Sequence, residues 1–289
     1  MNRSLLSTCQ LSMAKSLLKQ AIHHQQEFEK SLELIERAAP VLWRGQIQSG
    51  NMVTIGTNPS AREFLKSDQT LLENEKASLY VRDQDLTVAN YQKDEEQLEQ
   101  TIENYCTYFQ RDTAYRRWFG KENGGKLEAF MNGLGGSFYA SDQFTPVVHM
   151  DIFPYATYKQ MGQIPYKEKW LQSNELNELL RDTLRLLNPS LLVILGKEHC
   201  QRLSENDHLF SLKEIMFSTE YPDARYQLGF YSDKKIPLIG LHYKPSEQFV
   251  ALGSKRDRNG VNHGTYGSRA VLYKLGQEVN EQLKSQEKR

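Results

Sequence analysis

The chain has 289 residues, 39% hydrophobic and 25% charged, with 36 Lys/Arg against 36 Asp/Glu. That length suits one large domain or two ordinary ones, with enough apolar residues for a sizeable core. Zero formal net charge excludes a polycation that holds nucleic acid by bulk charge alone, though not a local basic face.

Residues 10–39 read as a helix, with Leu17, Ala21, Phe28, Leu32 and Ile35 on one stripe and Ala39-Pro40 as the stop. Met52-Val53-Thr54-Ile55 is a buried strand that runs into Gly56-Thr57-Asn58-Pro59-Ser60. Residues 61–130 are mostly helical in pattern and rich in charge, until Gly133-Leu134-Gly135-Gly136 breaks the pattern. Pro146 to Ile152 is a second strand. Residues 172–187 form a helix with a Leu176, Leu179, Leu180, Leu184, Leu187 stripe, stopped by Asn188-Pro189. Leu191 to Leu195 is a third strand closed by Gly196, Ile236 to Leu241 a fourth, and a terminal helix spans about 268–283.

Short aliphatic strands separated by helices imply a parallel sheet covered on both faces. The expected fold is α/β: a three-layer α/β/α sandwich with a short central parallel sheet and added helices. Residues 1–49 are expected to be a helical extension packed on a core at 50–289, which carries a helical insertion at about 62–130.

The longest aliphatic run, Leu191 to Leu195, is too short to cross a bilayer, and no unbroken apolar stretch follows Arg3 to suggest a secretory signal. Cys9, Cys106 and Cys200 are odd in number and dispersed. They argue against a disulfide framework, a cysteine-rich zinc site or a four-cysteine iron–sulfur cluster, and a reducing cytoplasm is the expected compartment.

In such folds the site lies at the carboxyl ends of the strands. Three ends carry unusual chemistry: Gly56-Thr57-Asn58-Pro59-Ser60, His149-Met150-Asp151-Ile152-Phe153-Pro154-Tyr155, and His242-Tyr243-Lys244-Pro245-Ser246. In this order they resemble the uracil-DNA glycosylase superfamily. The first looks like that family's water-activating Gly-x-Asp/Asn-Pro motif, in the Asn form of its thymine/mismatch-specific branch. The last looks like its His-Pro-Ser motif, and Asp151 to Pro154 matches the spacing of its base-reading Asn and a following Pro. Leu191 to Gly196 is similar to its third strand and glycine turn. The resemblance covers about residues 50–265.

The resemblance implies that Asn58 orients the water that attacks the sugar, within a turn built by Gly56, Thr57, Pro59 and Ser60. A carboxamide can hold that water although it is a poor base. An isolated Asn-Pro also serves simply to leave a strand. The departing base gains negative charge, which a cation or donor stabilises. The family's His before Pro-Ser is replaced here by Lys244, with His242 two residues earlier, and strand alternation places both on one face. Lys244 could also attack the sugar as an amine, the minor route. Asp151 stands where the family has Asn. Kept neutral by burial, it would donate to cytosine's ring nitrogen and accept from its amino group, so it leans toward a cytosine-type base.

Phe138, the preferred stacker, with Tyr139 and Phe153 are the candidates to hold an extruded base. Ser246, Lys255, Arg256 and Arg258 are expected to contact DNA, with Tyr115 to Phe119 adding cations and aromatics. The expected activity is monofunctional excision of a modified pyrimidine, cytosine-derived and possible in a phage-defence setting, leaving an abasic site. Uracil or mismatched thymine is the alternative substrate. The expected partner is duplex or single-stranded DNA, with no metal, cofactor, membrane or obligatory protein partner. The rivals are a silent nucleic-acid-binding protein of the same fold and an unrelated doubly wound enzyme binding a nucleotide. The first glycine turn has no Gly-x-x-x-x-Gly-Lys or Gly-x-Gly-x-x-Gly, which lowers the latter.

Charge is segregated. Residues 61–110 hold 5 Lys/Arg against 11 Asp/Glu, and residues 251–289 hold 8 against 4. DNA binding would therefore be modest in strength and salt-sensitive.

Overall fold

The β-branched and leucine-rich segments bounded by turns form the centre of a sheet, as their composition requires. The computed structural model describes residues 5–29, 33–72, 79–113, 115–165, 167–232, 234–246 and 268–287. Its strands are β1 (Met52–Gly56), β2 (Gly136–Ser137), β3 (Thr145–Asp151), β4 (Leu191–Leu195), β5 (Phe210–Phe217), β6 (Arg225–Tyr231) and β7 (Ile236–Leu241). They form one seven-stranded sheet in the order β2-β3-β1-β4-β7-β6-β5. β2 pairs with β3, β1 with β4 and β4 with β7 in parallel, whereas β5, β6 and β7 pair antiparallel. The fold is α/β, a mostly parallel sheet flanked by helices, compatible with the expected three-layer arrangement.

From β1 the chain goes to β2 and β3 on one side, whereas from β4 it goes to β5, β6 and β7 on the other. The carboxyl ends of β1 and β4 therefore flank the topological switch point, where open α/β sheets bind their ligands.

The helices are α1 (Thr8–Glu29), α2 (Val88–Tyr91), α3 (Glu95–Cys106), α4 (Arg116–Phe119), α5 (Lys126–Leu134), α6 (Lys167–Leu171), α7 (Asn174–Leu187), α8 (Lys197–Asn206) and α9 (Arg269–Glu287). α7 begins at Ser173, whose Oγ accepts from Leu176 N at 3.2 Å, and ends at Asn188 in the left-handed conformation. Its predicted leucine stripe is buried. α1 stops short of the expected residue 39. Ile35 N donates to Ala156 O, and Leu34 and Ala38 make β-bridges to Thr157 and Val81, so Leu34, Ile35, Ala38 and Ala39 are buried without a helix, while Leu32 of the expected stripe lies outside the described residues. Among the described residues of 61–130, the helices are α2, α3, α4 and α5 with irregular segments between them, less helix than the pattern suggests.

By proximity the chain divides into two compact units. The first comprises 1–49, 57–115 and 148–188, the second 50–56, 116–147 and 189–289. In the first, α1 packs against α3 and α7. In the second, α5 lies on α9 through Gly133 and Gly276: a Cβ at Gly133 would meet Tyr273 O at 2.2 Å, and one at Gly276 would meet Phe130 O at 2.2 Å. Gly133 is thus a helix-contact residue inside α5, and the break read at Gly133 to Gly136 takes effect after Leu134. The break is Gly135, left-handed at φ 91°.

Candidate functional site

The turn after β1 is latched to the chain that leaves β3. Phe153 N donates to Thr57 O at 2.9 Å, which brings the ends of these strands together. Asn58 is half-buried there. Its Nδ2 donates to Pro59 O at 3.2 Å, Tyr155 O at 3.5 Å and Thr157 Oγ1 at 3.2 Å. Two of these partners are carbonyls, and the Thr157 hydroxyl spends its own proton on Lys159 O at 2.6 Å. All three positions accept, so the partners themselves assign the nitrogen to this side of the carboxamide. Oδ1 makes no hydrogen bond among the described residues and remains available to accept one from water. Pro59 is buried. Ser60 caps a single 3-10 turn, Ala61–Glu63, its Oγ accepting from Arg62 N at 3.3 Å. That turn is too short to act as a helix N-terminus for an anion.

Beneath this turn lies a charge cluster that sequence reasoning did not find. Arg44 is buried, and its Nε and Nη2 each donate to one oxygen of Glu63 at 3.1 Å. Its Nη1 donates to Asp151 Oδ2 at 2.8 Å. Tyr108 OH donates to Glu63 Oε1 at 3.2 Å. The backbones of Arg44 and His149 exchange hydrogen bonds at 2.7 and 2.9 Å, and His149 Nε2 lies 3.4 Å from Asp151 Oδ1. One guanidinium serves two buried carboxylates, so the cluster titrates as a unit. Burial opposes ionisation of Asp151, but Arg44 and His149 outweigh it and hold the carboxyl at about 2. Burial pushes Glu63 up against the pull of Arg44. Burial lowers the His149 pKa against the pull of Asp151.

This corrects the expectation for Asp151. The residue is 5% exposed, with Oδ2 on Arg44 and Oδ1 facing His149. The buried carboxyl is thus turned to the protein rather than to a base.

The aromatic candidates are also largely occupied. Phe153 is fully buried, with its ring 5.8 Å from Phe28 and 5.0 Å from Tyr155. It is core. In the second unit, Phe138 is 6% exposed and meets Phe119 edge-on at 5.2 Å. Its backbone N donates to Glu128 Oε2, a buried carboxylate that also takes hydrogen bonds from Ser137 and Asn132. Tyr139 is half-buried, donates its hydroxyl to Gly120 O at 2.5 Å, and carries Arg116 over its ring at 5.5 Å.

In the last motif the strand ends at Leu241, so alternation does not extend to Lys244. His242 Nε2 pairs with Gln227 Oε1 of β6 at 2.8 Å. Burial, then Lys197 and Arg225, lower its pKa. The aliphatic part of Lys244 runs along the Gly196 turn after β4, where a Cβ would lie 3.3 Å from its Cε. His242 thus leans on β6, and Lys244 on the turn after β4, the two strands that flank β7. Gly196, at φ 105°, has the backbone conformation that glycine allows. Ser246 Oγ accepts from Leu127 N at 3.2 Å, which caps α5 from a distant segment because Gly125 at its N-cap has no side chain. Lys255, Arg256 and Arg258 lie outside the described residues.

Arg44, Glu63, Tyr108 and Thr157 are the residues missed. Only their proximity in the fold marks them, since Arg44 and Asp151 stand 107 positions apart. No three His, Cys, Asp or Glu are grouped to hold a metal among the described residues, and no helix there is long and apolar enough to cross a membrane.

No family model matches the chain, and no curated protein matches it significantly.

Proposed function

We propose that the chain is a monofunctional DNA glycosylase that hydrolyses the N-glycosidic bond of an extruded, modified pyrimidine and leaves an abasic site. The observation that carries this reading is the anchored carboxamide of Asn58. Three acceptors fix its nitrogen, and its oxygen is left to hold a water at the carboxyl end of a central strand. Asn58 orients that water toward the anomeric carbon as the sugar becomes oxocarbenium-like. The departing base, whose negative charge grows in the transition state, calls for a cation, the role the motif resemblance gives Lys244. The expected partner is DNA. With both Asp151 oxygens facing Arg44 and His149, this carboxyl gives no preference for a cytosine-derived base over uracil or mismatched thymine, and the assay compares all three.

The test is excision from oligonucleotides carrying uracil, mismatched thymine, hydroxymethylcytosine or glucosylated hydroxymethylcytosine, read by alkali cleavage of abasic sites. Product is expected from at least one substrate, with a loss on the order of 100-fold in Asn58→Ala. No product from any of them overturns the reading.

A second reading is a nucleic-acid-binding protein of the same fold without excision. It is favoured by one set of observations: Asp151, Phe138 and Phe153 are all engaged within the protein. It predicts DNA affinity with no abasic product, and an Asn58→Ala variant that binds as the wild type does.

A further inference from the structure

We propose that Arg44 and Glu63 are positioning residues that fix the orientation of Asn58. The inference rests on the glycosylase reading for its chemistry, but its geometry lies wholly in the first unit.

Asn58 is held at one end by its own side chain, on Tyr155 O and Thr157 Oγ1. The adjoining backbone is latched as well, by Phe153 N to Thr57 O at 2.9 Å. The downstream end carries a further restraint. Between Asn58 and Glu63 stand Pro59, whose ring fixes φ, and one 3-10 turn closed by Glu63 N→Ser60 O at 3.1 Å. This link has no soft residue, so a clamp on Glu63 is felt at Asn58. The clamp is strong. Both Glu63 oxygens take a guanidinium hydrogen from Arg44, a bidentate pair with defined direction as well as energy. Arg44 is itself fixed by Asp151 at 2.8 Å and by backbone pairing with His149. Tyr108 adds its hydroxyl to Glu63, and Tyr115 is hydrogen-bonded to Ser60. These two tyrosines belong to the long segment after β1, which gives that segment a part in holding the turn.

A buried pair of this kind adds little net stability compared with apolar residues of the same volume. Its use here is the angle at which the Asn58 oxygen meets its water. A misplacement of about 1 Å at a reacting centre costs on the order of 100-fold in rate.

The test is a double-mutant cycle on the full chain with whichever substrate the wild type excises. Glu63→Gln is expected to lower kcat about 10-fold with KM for DNA unchanged, and to have no further effect in an Asn58→Ala background. Arg44→Lys, which keeps the charge and loses the fork, is expected to behave as Glu63→Gln does. Multiplicative losses in the cycle, or a change confined to KM, overturn the inference while leaving the glycosylase reading intact. If Glu63→Gln does not fold, Tyr108→Phe takes its place, with a smaller expected loss of about 3-fold in kcat and the same non-additivity. A second readout needs no substrate. The Asn58 side-chain amide signals, assigned by their absence in Asn58→Ala, are expected to exchange slowly in the wild type and to broaden in Glu63→Gln or Tyr108→Phe. Unchanged signals overturn the inference even if the wild type excises nothing.

Discussion

Asn58 Nδ2 donates to Thr157 Oγ1 at 3.2 Å, and that hydroxyl donates onward to Lys159 O at 2.6 Å. The relay fixes which end of the carboxamide faces inward, because a hydroxyl that has spent its proton can only accept. Thr157→Val keeps the shape and removes the acceptor. The expected cost in stability is about 1 kcal/mol, that of one buried hydrogen bond. Excision is expected to fall about 10-fold, with DNA affinity unchanged. Single-turnover rates together with a binding titration check this, and a variant that loses affinity but not rate contradicts it.

Lys244 and His242 have different neighbours, and different roles are expected of them. His242 is held on Gln227 of the neighbouring strand, so His242→Ala is expected to change excision by less than about 3-fold and to cost about 1 kcal/mol for the lost hydrogen bond. Lys244→Ala is expected to lower excision on the order of 100-fold, the scale of removing one donor from a developing anion. Equal losses in the two variants contradict this assignment.

Some of this was legible in the sequence and some was not. β1, β3, β4 and β7 announce themselves because buried parallel strands are apolar runs bounded by turns. β5 and β6 do not. β5 is an edge strand with exposed Ser211, Lys213, Glu214, Ile215 and Phe217, and its register shifts between Leu212 and Ile215, which breaks the alternation by which a strand is recognised. Ile35 fits the helical period of α1, yet the pairing of Leu34 with Thr157 sets the conformation beside it. The same contrast holds at the site. Asn58 is visible because the strand, the glycine and the proline are contiguous. The state of Asp151 is not, because its charge is set by Arg44, far away in sequence. A carboxylate at a strand end reads alike whether its partner is a ligand or a buried guanidinium.

The α5–α9 contact gives a test of packing. Gly133→Ala gains helix propensity of about 1 kcal/mol. Against this, its Cβ would meet the carbonyl of Tyr273 at 2.2 Å, a backbone atom that cannot rotate away. Overpacking of this kind costs about 1–3 kcal/mol, so net destabilisation is expected. Gly162→Ala is the control, since nothing lies within 4 Å of its Cβ. Urea unfolding of the two variants checks the pair. A Gly133→Ala protein as stable as the wild type contradicts the close approach.

The ionised state of Asp151 has a signature in acid. Its folded pKa of about 2 lies below the ordinary 3.8, so its stabilisation is complete above about pH 4 and is lost as pH falls toward 2. The difference is worth about 2 kcal/mol. Glu63 has the opposite sign: its folded value is raised above 4.5, so its contribution is complete below that pH and is lost as pH climbs. Asp151→Asn removes the first of these limbs and leaves Arg44 with Glu63 alone. The variant is expected to be about 3 kcal/mol less stable than the wild type near neutrality, the scale of breaking a buried ion pair. Because only the wild type carries the Asp151 proton uptake, the gap is expected to narrow as pH falls from about 4 toward 2. Urea unfolding of both proteins across that range reads the gap directly. A gap that stays constant would mean that Asp151 is already neutral in the folded protein, and would restore the carboxyl that can donate to a cytosine ring nitrogen.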